Sequence, residues 1–395
     1  MVDDKLFPTF YSMLKSFNQN ENSVVSMINP QRVIVKIGTS TLTGGKKTLS
    51  APKLVDLARQ IAALQKEGVQ VALVSSGAVA AGREKLGFPT LPKEVPAKQM
   101  MAAVGQPRLM AMYEQYFAIY GVHVAQVLLT RTDMSDRHGF LNARGTLDAL
   151  LSQGIIPIIN ENDTVATDEI RIGDNDNLSA QVASLVEADL LLLLTDQDGL
   201  YTADPREDKN AQLIREVGPG PIPPEMWQAV SGSSTGLGTG GMVTKLQAAD
   251  LARHSGAEVV IARGSIENVL PRLVHGEALG THFAPSVNKL EGRKRRLLSG
   301  SRTKAEIIID AGAIQALERG GSLLPAGVIK VNGTFERGDS VRVRAEDGKA
   351  VAIGSSNYSA DELSKLCRCQ SAEIESLLGY TLGDEAIHRD HMALL

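Results

Sequence analysis

Short apolar runs alternate along this chain with segments whose apolar residues recur at helical spacing. Val33-Ile34-Val35-Lys36, Val71-Ala72-Leu73-Val74 and the runs at 124–129, 155–159, 189–195 and 258–262 read as strands. Between them, residues 50–67, 97–120, 140–152, 178–186 and 242–254 read as helices. The first of these has Ser50 at its cap, Pro52 in its first turn and Gly68 just past its end. The strands are apolar almost without interruption, as in sheets covered on both faces. Strands joined through helices cross over with one hand and pair in parallel. The expected fold class is therefore α/β, a three-layer αβα sandwich around a mainly parallel sheet.

The pattern changes near residue 285. Residues 288–303 carry Arg293-Lys294-Arg295-Arg296 and read as a basic linker. Ile307-Ile308-Ile309-Asp310 then leads into a short helix over 311–319, followed by compact strands at 327–331, 340–344 and 350–354. Gly333, Gly338-Asp339 and Asp347-Gly348 punctuate them as turns. The expected division is an N-terminal extension over 1–30 (with a short amphipathic helix around 7–17), an α/β domain over 31–287, the linker, and a small mainly β domain over 304–395.

Composition narrows the classes. A length of 395 residues fits roughly two to three domains. The net charge of -4 and the 4% aromatic content speak against nucleic acid as the main partner. Cys367 and Cys369 form a C-x-C pair with no further cysteine, which makes neither a disulfide framework nor a four-ligand zinc site. They read as reduced thiols of a cytoplasmic protein. No apolar run reaches the roughly 18 residues that cross a bilayer, and the acidic start at Asp3-Asp4 is not that of a secretory signal.

The densest polar segment runs from Asn160 to Asn177, between an apolar strand and a helix, and includes Asp163, Asp174, Asn175 and Asp176. Ligands of open α/β sheets bind beyond the carboxyl ends of strands. Carboxylates crowded there need a cation, whether a substrate ammonium, a lysine or a metal ion. Three other turns offer anion-binding devices. Lys36 ends the first strand before Gly38-Thr39-Ser40, and Ser75-Ser76-Gly77 ends the second before a helix. Gly236 to Gly241 is a glycine-rich loop that opens the helix bearing Lys245. It is neither a dinucleotide fingerprint, since no strand precedes it, nor a P-loop. Thr195-Asp196 ends the most apolar strand and suits a nucleotide. The seven histidines lie outside these loops, and no nucleophile triad appears. Phosphate-binding turns without a general base suit phosphoryl transfer to an acceptor that is already anionic.

Together, Val35-Lys36-Ile37-Gly38-Thr39-Ser40, Ser75-Ser76-Gly77-Ala78, Ile159-Asn160-Glu161-Asn162-Asp163, Gly173-Asp174-Asn175-Asp176-Asn177 and Gly238-Thr239-Gly240-Gly241-Met242-Val243-Thr244-Lys245 resemble the glutamate 5-kinases of the amino acid kinase superfamily. Gly321-Ser322-Leu323-Leu324-Pro325 and Phe335-Glu336-Arg337-Gly338-Asp339 resemble the PUA domain appended to that family. The resemblance covers about residue 31 to the C-terminus. It implies phosphorylation of L-glutamate by ATP with Mg²⁺ to L-glutamyl 5-phosphate, feedback inhibition by proline, and a homo-oligomer, dimer or tetramer. Lys36 and Lys245 would neutralise the phosphates, with Asp174 and Asp176 orienting the lysines and the loop or helping to organise Mg²⁺. Ser76, Asp163 and Asn175 would hold glutamate, with Asp163 on its ammonium. Lys36, Thr195, Asp196, Thr239, Gly240, Gly241, Met242, Val243, Thr244 and Lys245 would hold ATP. No direct metal ligand is assigned. The alternatives are another acid or nucleoside monophosphate kinase of this fold, or an RNA-binding protein acting through the PUA-like module.

Overall fold

The computed structural model describes residues 30–90, 94–166, 175–231, 241–288, 291–292, 297 and 305–395. Its larger unit runs β1 (Arg32–Ile37), α1 (Thr39–Thr43), α2 (Ala51–Lys66), β2 (Gln70–Ser75), α3 (Ala78–Lys85), α4 (Val95–Ala118), β3 (Val124–Leu129), α5 (Arg131–Ser135), α6 (Arg137–Ser152), β4 (Ile156–Glu161), α7 (Asn175–Leu185) and β5 (Leu190–Thr195). It continues with β6 (Leu200–Tyr201), β7 (Leu213–Ile214), β8 (Glu216–Val217), α8 (Pro224–Ser231), α9 (Met242–Arg253), β9 (Glu258–Arg263), α10 (Val269–Val274) and β10 (Thr281–Phe283). The main sheet has the order β3-β4-β2-β1-β5-β9-β10-β8. From β3 to β9 every pairing is parallel; β10 lies antiparallel on β9.

Side-chain alternation along the central strands divides the core in two. Ile34 of β1 and Leu191 and Leu193 of β5 pack with Leu147, Val182 and Leu246, on the face covered by α6, α7 and α9. Val33, Val35, Leu190 and Leu192 pack with Leu57, Ile61, Leu109 and Phe117, on the face covered by α2 and α4. This is the three-layer sandwich. The alternation also decides where Lys36 goes. Two residues after Ile34, it shares the face covered by α7 and α9.

The chain leaves β1 for β2 and β4 on one side and returns to β5 on the other. That reversal opens a crevice at the carboxyl ends of β1 and β5, where this class of sheet binds ligands. Next to it, α3 and α4 cross at a pair of glycines. A Cβ on Gly105 would sit 1.8 Å from the Ala78 carbonyl oxygen, and one on Gly82 would sit 1.9 Å from that of Met101. Only hydrogen at both positions lets the backbones meet, which seats α4 against the ends of β2 and β4.

The second unit comprises β11 (Glu306–Ile309), α11 (Ala311–Glu318), β12 (Val328–Asn332), β13 (Ser340–Ala345), β14 (Ala350–Ser355), α12 (Ala360–Lys365), α13 (Ile374–Leu378) and β15 (Met392–Leu394). Its sheet has the order β12-β11-β13-β14-β15 around a separate core containing Ile307, Leu323, Val341, Tyr358 and Leu363. Arg137 joins the two units. Its Nε donates to the Gly338 carbonyl and its Nη2 to Ser340 Oγ, both at 2.5 Å, and Asp339 lies 3.3 Å from Nη1.

Two expectations need adjustment, and some short strands were not foreseen. The helix read from Leu178 begins at Asn175, so Asn175 and Asp176 are its first turn. Ser50 occupies the cap of α2 without a side-chain capping bond. Strands β8, β10 and β15 have two or three residues, too short to show a period. The helix expected at 7–17 and the cluster Arg293-Lys294-Arg295-Arg296 lie outside the described residues. No helix among the described residues is long and apolar enough to cross a membrane.

Candidate active site

Asp176 is the centre of the constellation. It stands in the first turn of α7, where a carboxylate complements the helix dipole, and it is fully buried. Lys36 Nζ lies 2.6 Å from its Oδ1 and Lys245 Nζ 3.3 Å from its Oδ2. The Thr244 hydroxyl donates to the same Oδ2 at 2.7 Å. Strand β1 supplies one lysine and helix α9 the other. Burial alone would raise the Asp176 pKa, but the two ammonium groups outweigh it and hold the carboxyl at about 2. Burial pushes the Lys245 ammonium below its ordinary value, with Asp176 opposing.

Lys245 is held in place at both ends of α9. Gly241 caps the helix start, and its carbonyl oxygen lies 2.8 Å from Thr244 Oγ1, an alternative acceptor for that hydroxyl. At the other end the buried Arg253 donates to the carbonyls of Ala284, Gly218 and Gly220.

A second group lies at the ends of β2 and β4. Asn175 Nδ2 is within hydrogen-bond distance of Ser76 Oγ and Asn160 Oδ1, both at 3.0 Å, and of the Ser75 carbonyl at 3.2 Å. Asn160 in turn donates to Gln106 Oε1 of α4 at 2.9 Å. Ser75 Oγ and the buried Tyr113 hydroxyl are 2.7 Å apart, and burial raises the Tyr113 pKa. The Asn175 Oδ1 atom is buried and has no partner among the described residues. Asp163 follows β4 in the same rim. Burial lifts its carboxyl to about 6, and no cationic group pairs with it among the described residues.

The nucleotide candidates divide. Thr195 is buried at the end of β5 and donates to the exposed Asp196 at 3.1 Å. Gly241, Thr244 and Lys245 lie at the start of α9. Met242 and Val243 pack their side chains against the core, so what they offer a ligand is backbone N–H. Asp174, Thr239 and Gly240 lie outside the described residues. Sequence reading did not single out Gln106 or Tyr113 for the site, and it placed Asn160 in the candidate segment without a role of its own. Asn160 did carry a signal, as a polar residue closing the apolar run Ile155-Ile156-Pro157-Ile158-Ile159.

Cations, a shared buried carboxylate and helix-start amides thus line one sheet margin. Comparison with known proteins agrees with that chemistry. Residues 31–263 match the amino acid kinase family and residues 305–378 the PUA domain. The glutamate 5-kinase of Vibrio campbellii is 54% identical over 376 residues, covering 95% of this chain and 98% of its own. Those of Shewanella amazonensis and Shewanella sediminis are 53% and 52% identical, over 92% and 94% of this chain and 96% and 100% of their own. The chain belongs to the glutamate 5-kinase family, an amino acid kinase domain followed by a PUA domain.

Proposed function

We propose that this chain transfers the γ-phosphoryl group of ATP to the side-chain carboxylate of L-glutamate, releasing ADP and L-glutamyl 5-phosphate for proline biosynthesis. One observation carries the reading: Asp176 gathers Lys36 and Lys245 at a buried point beside the sheet's switch in direction. The acceptor carboxylate is already ionised near neutral pH, so no base has to deprotonate it. One of its oxygens bonds to phosphorus while the bond from phosphorus to the β–γ bridging oxygen breaks, and that oxygen leaves with ADP. The barrier is the alignment and mutual repulsion of two anions. The two ammonium groups, fixed on opposite oxygens of one carboxylate, are preorganised against it. Asp174 shares with Asp176 the task of orienting them.

Glutamate binds on the β2–β4 side through Ser76, Asp163 and Asn175. Among the described residues the partly buried carboxylate of Asp163 has no cationic partner, which suits the substrate ammonium, and Asn175 Oδ1 has no donor, so it can accept one from the substrate. ATP binds on the β5 side through Thr195, Asp196 and residues 239–245, where the N–H groups opening α9 face its phosphates. The described residues hold no cluster of three metal-ligand side chains. Mg²⁺ binds through one or two carboxylates and the substrate phosphates. The exposed Asp196 is the carboxylate on offer. When bound, the ion neutralises phosphate charge.

Inhibition by proline near the glutamate site, a homo-oligomer (dimer or tetramer) and a cytoplasmic location belong to the same proposal and rest on the family alone. RNA binding through the PUA domain is not part of it, because the net charge of -4 disfavours a polyanion. The test is ADP release from ATP and Mg²⁺ over L-glutamate, L-aspartate, N-acetylglutamate, carbamate and UMP, with and without proline. Turnover with glutamate is expected. Turnover with another acceptor and none with glutamate would overturn the proposal.

A further inference from the structure

The geometry points to Arg263 as a further nucleotide-binding residue, whose guanidinium receives the phosphate chain of ATP. This inference rests on the kinase reading above and deepens it. Arg263 is the last residue of β9 and stands in register with Thr195 at the end of β5. It is therefore on the ATP side of the site, two strands (about 10 Å) from β1.

Its setting is unusual for a surface arginine. Nε donates to Asp198 Oδ1 at 2.5 Å, and the other oxygen of Asp198 accepts from the Tyr201 hydroxyl at 3.0 Å. Tyr201 thus holds one oxygen of the carboxylate, and the other engages the guanidinium through Nε alone. The two terminal nitrogens make no bond to a described residue. Both side chains of the ion pair are exposed, at 40% and 44%, so the pair itself contributes little to stability. The backbone beneath is fixed. Gly264 N donates to the Thr195 carbonyl at 2.8 Å, and a Cβ at Gly264 would come within 2.6 Å of Thr41 in α1. What the arrangement does provide is a guanidinium held at Nε whose two terminal nitrogens bond to no described residue, a fork of the shape that grips phosphate bidentately.

The surrounding charges point the same way. Asp196 lies within electrostatic reach of Arg263, Arg206 and Lys245, which come from β9, the loop after β6, and α9. Each of these cations also has a carboxylate of its own, Asp198, Asp204 and Asp176 in turn, so what the end of β5 offers a polyphosphate is cationic donors from three segments rather than a surplus of charge.

The experiment compares steady-state kinetics of Arg263→Ala, Arg263→Lys, Asp198→Asn and Lys245→Ala. Arg263→Ala should raise KM for ATP about tenfold or more, as for a lost charge-assisted bond, with kcat, KM for glutamate and thermal midpoint unmoved. Arg263→Lys keeps the charge without the fork and should recover part of the loss. Asp198→Asn, which frees the guanidinium without removing it, should shift KM for ATP in the same direction and less. An unchanged KM for ATP in Arg263→Ala, or equal rises for both substrates, overturns the assignment. If Lys245→Ala is impaired while Arg263→Ala is silent, this inference alone falls; if both are silent, the kinase site itself is misplaced.

Discussion

Lys36 Nζ lies 2.6 Å from Asp176 Oδ1, in an ion pair closed to solvent and shared through the second carboxylate oxygen with Lys245. Two buried cations at one anion leave a net positive charge at the head of the sheet. Burying such charge is costly unless something anionic joins it, and in a kinase the transferred phosphoryl group does so.

Removing one of the two cations tests that role. Lys245→Ala should lower kcat about a hundredfold or more, the scale for one preorganised charge contact. The measurement is turnover at saturating ATP and glutamate, and an unchanged kcat rejects the assignment.

Removing the shared anion should act on stability as well. Asp176→Ala strands two buried ammonium groups against each other and should cost about 3–5 kcal/mol, read by denaturant unfolding. Because the folded-state pKa is depressed to about 2, the stabilisation is present above the ordinary carboxylate pKa and is lost as pH falls toward 2. The wild-type unfolding free energy should therefore drop over that acid window, and the variant's should drop less.

Asp163 titrates in a different window. Its carboxyl is raised to about 6, so the free enzyme protonates it as pH falls through 6 and loses the partner for the substrate ammonium. The kcat/KM for glutamate should fall below that pH, while kcat moves less because bound ammonium lowers the pKa. Asp163→Asn should raise KM for glutamate, leave KM for ATP alone and flatten the acid limb. A limb that persists in the variant would assign it elsewhere. The same raised pKa means that this group's contribution to stability declines as pH rises from 4 to 6.

Two glycines should respond in opposite directions. Gly105→Ala forces Cβ into the Ala78 carbonyl and should destabilise the fold by about 1–3 kcal/mol, separating α3 from α4. Gly145, exposed on α6 with nothing within 4 Å of its Cβ position, should gain about 0.5–1 kcal/mol on change to Ala. Chemical denaturation of both variants reads the contrast.

Arg137→Ala should loosen the junction between the two units. The Gly338 carbonyl and the Ser340 hydroxyl lose their partner there. Faster amide hydrogen exchange at residues 338–340, with the core of the PUA domain still protected, is the expected result.

Much of this protein was legible in one dimension. Apolar runs separated by helical spacing gave away a parallel sheet covered on both faces, since each central strand must be apolar on both sides to be buried there. The ends of those runs marked the site, because polar residues crowd where β1, β2, β4 and β5 stop. Lys36, two residues beyond Ile34, was bound to share its face, a consequence of the period of two.

Other features came from contacts that local pattern cannot encode. That Asp176 would be the common partner of Lys36, Thr244 and Lys245 depended on α7 and α9 lying side by side on one face of the sheet. That Asn175 would meet Asn160 depended on α7 starting beside the end of β4, and that Asn160 would meet Gln106 depended on how closely α4 approaches, which Gly82 and Gly105 permit only as a pair. Edge strands of two or three residues exist because a neighbouring strand offers them bonds, not through their own propensity. Propensity and periodicity act over a few residues and so determine the elements and their buried faces. Charge pairing, close backbone approach and edge pairing act between residues distant in the chain, and the packed fold alone decides them.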